Sequence, residues 1–160
     1  MANLSLIDFT LTQYDASLKD LREAVADIDD AQMAQQFNGI VNHPAWTIGH
    51  LVTASALILM VLDEPGDHFA GFDTEKYGPS SKPVADRSQY ASKADLLAAL
   101  SNLHEKVGPA VRAKHEAYFN KPSPEFLRSF APTVGHIVFY LLTTHEPYHL
   151  GQLSQWKKAR

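Results

Sequence analysis

The feature that most constrains the fold is the periodicity of the first segment. Ile7, Leu11, Tyr14, Leu18, Leu21, Val25 and Ile28 follow one another at alternating spacings of four and three. This places them on one stripe of an α-helix, with Asp15, Lys19, Asp20, Arg22 and Glu23 around the rest. A helix with one apolar stripe must bury it against another element. The chain offers helical partners. Pro44 stands where proline opens a helix, with Asn42 or His43 as the cap. That segment carries Trp46, His50, Leu51, Ala54, Leu57, Ile58 and Val61, and stops near Asp63, before Pro65-Gly66. Ser92, with Asp95 three residues on, starts a third helix. Its buried stripe is Leu96, Leu100, Leu103, Val107 and Ala110, and Gly108-Pro109 is expected to kink or break it. A last helix is expected from about Thr133 to Trp156, with Pro147 inside it.

The connections are uneven. Asp29 to His43 reads as partly irregular, with a turn at Asn38-Gly39. Asp63 to Ala91 is long for a compact domain and holds Pro65, Gly66, Gly71, Gly78, Pro79 and Pro83. Its aromatics Phe69, Phe72, Tyr77 and Tyr90 predict that it packs down, as a lid or as a plain hydrophobic anchor. Lys121-Pro122-Ser123-Pro124 is a second punctuated linker. No strand series or internal repeat is visible. The expected fold is all-α: a four-helix bundle with a long loop between the second and third helices, in one domain over residues 1–160.

Composition narrows the chemistry. The chain has 160 residues and no cysteine. Disulfides, thiol nucleophiles and thiolate metal ligands are therefore excluded, and any transition-metal site must use imidazole, carboxylate and water. The formal net charge of −4 comes without a basic block, so nucleic acid is not an expected partner. The N-terminal stretch from Met1 to Asp15 has no positive region or long apolar run of the kind a leader needs. The longest apolar stretch, Leu51 to Leu62, is too short for a bilayer, which takes roughly 20 residues. The expectation is a soluble, cytoplasmic protein with no membrane partner.

There are eight histidines, and their spacing matters more than their number. His145 and His149 stand four apart, one helical turn on one face, where two imidazoles can chelate one ion. His50, flanked by Ile48, Leu51 and Val52 in a segment expected to be buried, is the candidate third ligand, because a buried histidine needs a partner or a metal. Helical bundles build metal sites in this way, from inward side chains on facing helices. His145-Glu146-Pro147-Tyr148-His149 also matches the zincin string. Zincins take a third ligand downstream, however, and Leu150 to Arg160 contains no His, Asp or Glu. The alternative for the triad is three buried, hydrogen-bonded histidines without an ion.

Two longer motifs resemble one known family. Asn42-His43-Pro44-Ala45-Trp46-Thr47-Ile48-Gly49-His50-Leu51 is similar to the second-helix motif of the DinB/YfiT-like superfamily, in which a small residue precedes the first ligand histidine. His145 to Leu153 resembles that superfamily's last-helix motif, H-x-x-x-H-x-G-Q-[LI]. The resemblance covers essentially the whole chain. It implies a four-helix bundle holding one divalent ion (zinc, nickel, iron or manganese) on His50, His145 and His149. It also implies a homodimer and, in some relatives, transfer of a low-molecular-weight thiol to a small molecule. Glu146 and Pro147 are not defined by the family motif.

Three imidazoles leave a coordination position open, as catalytic sites do. That position could hold water or a soluble thiol. Glu146, about 100° around the helix from His145, is the candidate catalytic base, with a solvated carboxylate as the alternative. Gln152 returns to the face of His145 and could support the ligands or make a packing contact. His43 is expected to cap or to be exposed, His136 to sit on a helix face, and His68 and His115 to lie at the surface. His104, at the edge of its helix's apolar stripe, is a weak fourth ligand. Trp46 reads as core, and Tyr148 as pocket lining or helix packing. Three functions follow: a metal-dependent thiol transferase, a metal-dependent hydrolase with Glu146 as base, and a non-catalytic binding or dimerisation module.

Overall fold

A computed structural model describes residues 5–160. Met1 to Leu4, part of the stretch read for a leader, lie outside the described residues. Ser5 caps α1 (Leu6–Val25) by accepting the Asp8 N–H. Leu11, Tyr14, Leu21 and Val25 of the expected stripe are buried, and Ile7 and Leu18 pack against the core from its edge. The helix stops before Ile28, which is buried nonetheless. The last carbonyls of α1 and those just beyond are gathered by one cation: Lys93 Nζ donates to the oxygens of Val25, Ala26 and Ile28.

The connection that follows contains a short 3-10 turn, Asp30–Gln32, and a tight turn closed by the Phe37–Ile40 bridge. Asn38 (φ 49°) and Gly39 (φ 80°) both take the left-handed region, which is why that dipeptide stands there.

Helix α2 (Pro44–Val61) is buried on nearly every side. The sequence expectation of no membrane-length apolar segment needs qualifying here. By length and composition α2 is apolar enough to cross a bilayer, but 83% of it is buried within the fold. A helix apolar all round is what a central core helix needs. Its cap is His43, whose Nδ1 accepts the Trp46 N–H at 3.2 Å.

The 63–91 segment packs down, as its aromatics predict. It contains the short helix α3 (Thr74–Tyr77) and a 3-10 turn at Arg87–Gln89, with Tyr77 and Tyr90 buried. Helix α4 (Lys93–Ala113) follows its Ser92 cap, and its predicted stripe is buried. Of the kink or break expected at Gly108-Pro109, the break does not occur, and the helix runs through Pro109. Proline forfeits one helix bond, and the buried Ala110 and Val111 hold the last turn on the core. After α5 (Glu116–Phe119), the 121–133 segment closes on itself through the Pro122–Thr133 bridge and a 3-10 turn at Glu125–Leu127.

The last helical rod has three parts: α6 (Val134–Tyr140), a π-helical turn (Leu141–His145) and α7 (Glu146–Ala159). The rod spans the last helix expected from about Thr133 to Trp156, and the π turn within it is a feature the sequence reading did not name. Pro147 has no N–H to give and its ring would strike a carbonyl four residues back, so the backbone widens just before it. Four long rods thus pack together, α2 mainly on α4, and α1 on α7, α4 and the π turn. Trp156, fully buried, fastens α7 to the 33–37 segment by donating its indole N–H to the Gln35 carbonyl at 2.7 Å. Among the described residues there are no strands, only isolated bridges. The all-α class is as expected.

Candidate metal centre

His50 comes from the middle of α2, His145 from the end of the π turn and His149 from the first turns of α7. All three are buried. Their ring centroids form a nearly equilateral triangle, 4.9 Å from His50 to His145, 4.8 Å from His50 to His149 and 4.6 Å from His145 to His149. One nitrogen from each can be chosen so that all lie within 4.8 Å of one another, a group that could hold a metal ion. His50 Nε2 and His145 Nε2 stand 3.1 Å apart, inside the separation of about 3–3.5 Å that two nitrogens on one zinc-like ion adopt.

The outer nitrogens explain why these rings converge. His50 Nδ1–H donates to the Tyr77 carbonyl at 2.7 Å. His149 Nδ1–H donates to Gln152 Oε1 at 2.9 Å, and the same oxygen accepts from Asn42 at 3.2 Å. Each bond fixes a tautomer and turns Nε2 with its lone pair inward, the usual support of a metal-ligating histidine. The support reading of Gln152 is the one the geometry favours. His145 Nδ1 has no protein partner. Trp46 lies flat on His50, centroids 4.9 Å apart and planes 7° from parallel, and its indole N–H is held by the Lys76 carbonyl and Ser81 Oγ.

Burial governs the charge state. It pushes His145 down to about 3 and His149 to about 4, with the neighbouring histidines adding to the effect, and lowers His50 as well. At neutral pH all three are uncharged imidazoles, the form a metal requires. An all-nitrogen donor set suits zinc, nickel and iron. Among the described residues, no carboxylate or further imidazole joins the group, so it supplies three ligands.

Gly49 shows what the small residue before His50 does. A Cβ there would run into the Tyr77 ring. The close approach lets Tyr77 lie over α2 and bring its carbonyl to His50.

Glu146 lies buried between helices, with Oε1 engaged and Oε2 without a protein partner. It is 3% exposed, so the solvated reading is corrected. Its Oε1 bonds His104 Nε2 at 2.8 Å, and His104 in turn stacks on Tyr14 with centroids 3.6 Å apart. Burial raises the Glu146 pKa, and the His104 bond opposes that shift. His104 is therefore a partner of Glu146 and not a member of the triad. Neither pairing was visible in the sequence, since each joins residues on different helices.

The other histidines fall as follows. His43 caps α2 and is fully buried, with Nε2–H donating to the Val84 carbonyl at 3.0 Å. His136 bonds Thr133 on an outer face, and His115 precedes α5 at the surface. His68 is half-buried rather than exposed, bonded to the Glu64 carbonyl. Tyr148 is exposed, its ring edge to face with that of His149.

A cavity of about 540 Å³ opens beside His50 and His145. Phe69, Gly78 and Pro79 of the 63–91 segment form part of its wall, as a lid would. The sequence reading missed the other part, Phe126, Leu127 and Phe130 of the 121–133 segment. The exposure of Phe126 and Phe130 is a signal that only the fold reveals. A larger groove of about 820 Å³ near Ser5, Phe119 and His136 contains none of the triad.

The DinB superfamily model matches residues 13–153, and the chain belongs to that superfamily. The match takes in α2, the π turn and the triad. No curated protein matches the chain significantly.

Proposed function

We propose that the chain is a metal-dependent thiol S-transferase. In this reading His50, His145 and His149 hold one divalent ion (zinc, nickel, iron or manganese), and a low-molecular-weight thiol and a small electrophile are the substrates. The observation that carries it is a three-imidazole group, without a fourth protein ligand among the described residues, bordering a cavity large enough for an organic molecule. When bound, the ion supplies a Lewis acid that lowers the pKa of a thiol in its open position.

The reaction balances simply. The thiol sulfur forms a bond to the electrophilic carbon, the bond from that carbon to its leaving group breaks, and the thiol proton leaves with the departing group. The protein's residues bind and orient. Tyr77 and Gln152 hold two rings by their outer nitrogens, Trp46 shields one face of His50, and the apolar walls keep water from the electrophile.

A hydrolase with Glu146 as base needs that carboxylate at the open position. In the structure its Oε1 is engaged by His104 on α4, and Glu146 is not among the residues that line the cavity. The test is to load the protein with each of the four metals and incubate it with glutathione, bacillithiol, mycothiol and cysteine against small electrophiles, scoring thioether products by mass spectrometry. Metal-dependent thioether formation, abolished in His145→Ala and retained in Glu146→Gln, is the expected result. No product above background with any metal and any thiol overturns the reading and favours a non-catalytic module. Ester or amide hydrolysis lost in Glu146→Gln establishes the hydrolase.

A further inference from the structure

We infer that the cavity beside His50 and His145 binds an uncharged, predominantly apolar organic molecule, which is the electrophile of the proposed reaction rather than its thiol. The assignment to the electrophile rests on the proposed function; the apolar character rests on the cavity alone. The volume of about 540 Å³ falls in the range of small-molecule sites, roughly 300–1,000 Å³. The walls include Leu57, Met60, Phe69, Phe130, Ile137 and Leu141, and no Asp, Glu, Lys or Arg lines it among the described residues. Of its few hydroxyls, that of Thr53 is already donated to the His50 carbonyl at 2.8 Å. A molecule with carboxylates or an ammonium would lose its water there and find no opposite charge, a cost that grows steeply with each buried ion. Low-molecular-weight thiols of the glutathione kind carry such groups, so their polar body belongs outside, with only the sulfur reaching the histidines.

The mouth of the cavity points the same way. Phe126 and Phe130 are 69% and 59% exposed, on the short segment that closes on itself between Pro122 and Thr133. Two large apolar rings held in water beside an apolar cavity are the kind of patch a hydrophobic ligand covers. His50 and His145 bring the only imidazole nitrogens to this lining, so the ligand's reactive group is assigned to them and its apolar body to the aliphatic and aromatic wall.

The experiment uses the full chain, without metal and loaded with zinc. N-phenyl-1-naphthylamine, a neutral fluorophore, is titrated beside its anionic relative 1-anilinonaphthalene-8-sulfonate. The neutral probe is expected to bind at least about tenfold more tightly, a difference of about 1.4 kcal/mol. Leu57→Glu, at a half-buried wall position, and Phe130→Ser, at the exposed mouth, are each expected to weaken the neutral probe about tenfold or more while the thermal melt shows a folded protein. Equal or tighter binding of the sulfonate overturns the inference, as does a neutral probe that fails to bind or ignores both variants. Neither metal nor thiol is needed for the metal-free arm. A failed transferase assay with this pattern intact therefore removes the reaction and leaves the ligand class standing, and the reverse pattern removes only the ligand class.

Discussion

At the scale of single residues, the site depends on what stands behind each ligand. Gly49→Ala leaves every histidine in place, yet its methyl group meets the Tyr77 ring, whose backbone carbonyl orients His50. The expected outcome is a loss of metal affinity of about ten- to a hundredfold, the range for disturbed ligand support, measured by competition with a chelating dye. Gln152→Ala is expected to fall in the same range, because it frees the outer nitrogen of His149. Gln152→Glu keeps the accepting oxygen and should retain most of the affinity. Much of this site was legible in the sequence: the H-x-x-x-H spacing and the buried surroundings of His50 named all three members of the group. The partners were not, with the exception of Gln152, which lies on the same helix as His149. Tyr77 reaches His50 from another element, and no local spacing encodes that contact.

At the scale of elements, the chain's periodicity located α1, α2 and α4 because each carries an apolar stripe or a recognisable cap. The π turn escaped it, because the pattern of apolar residues barely changes where the backbone widens; Pro147 was the available signal. Lys121 to Pro124 was read only as a linker, and the share of Phe126, Leu127 and Phe130 in the cavity went unseen because the rest of that lining comes from distant parts of the chain, α2 and α6 among them. The pair His104–Glu146 joins α4 to the start of α7, with side chains 3% and 4% exposed. Removing one partner strands the other, so His104→Ala is expected to lower unfolding free energy by about 3 kcal/mol in urea titrations. Metal stoichiometry of the folded protein should remain that of the wild type. A stability change below about 0.5 kcal/mol would show that the pair contributes nothing to the packing of those helices.

At the scale of the whole molecule, acid should loosen the fold through its buried neutral histidines. His43 is the clearest case, lying outside the triad and tying the start of α2 to Val84. Burial lowers its pKa from 6.5 to about 4. The unfolded chain therefore binds a proton more readily, and stability is present in full above about 6.5 and is lost as pH falls toward 4. Metal-free His43→Gln is expected to lose less stability between pH 7.5 and pH 5.0 than the wild type, as read by urea unfolding at both values. An equal loss in the two proteins would assign the acid sensitivity to other groups.

The central claim is that the three histidines hold one ion between them. Elemental analysis of the purified protein, reconstituted in turn with zinc, nickel, iron and manganese and then desalted, tests it directly. The account predicts about one equivalent of at least one of these metals in the wild type and a small fraction of that in folded His149→Ala. A wild type that retains none of them, or a His149→Ala protein that retains as much as the wild type, would contradict it.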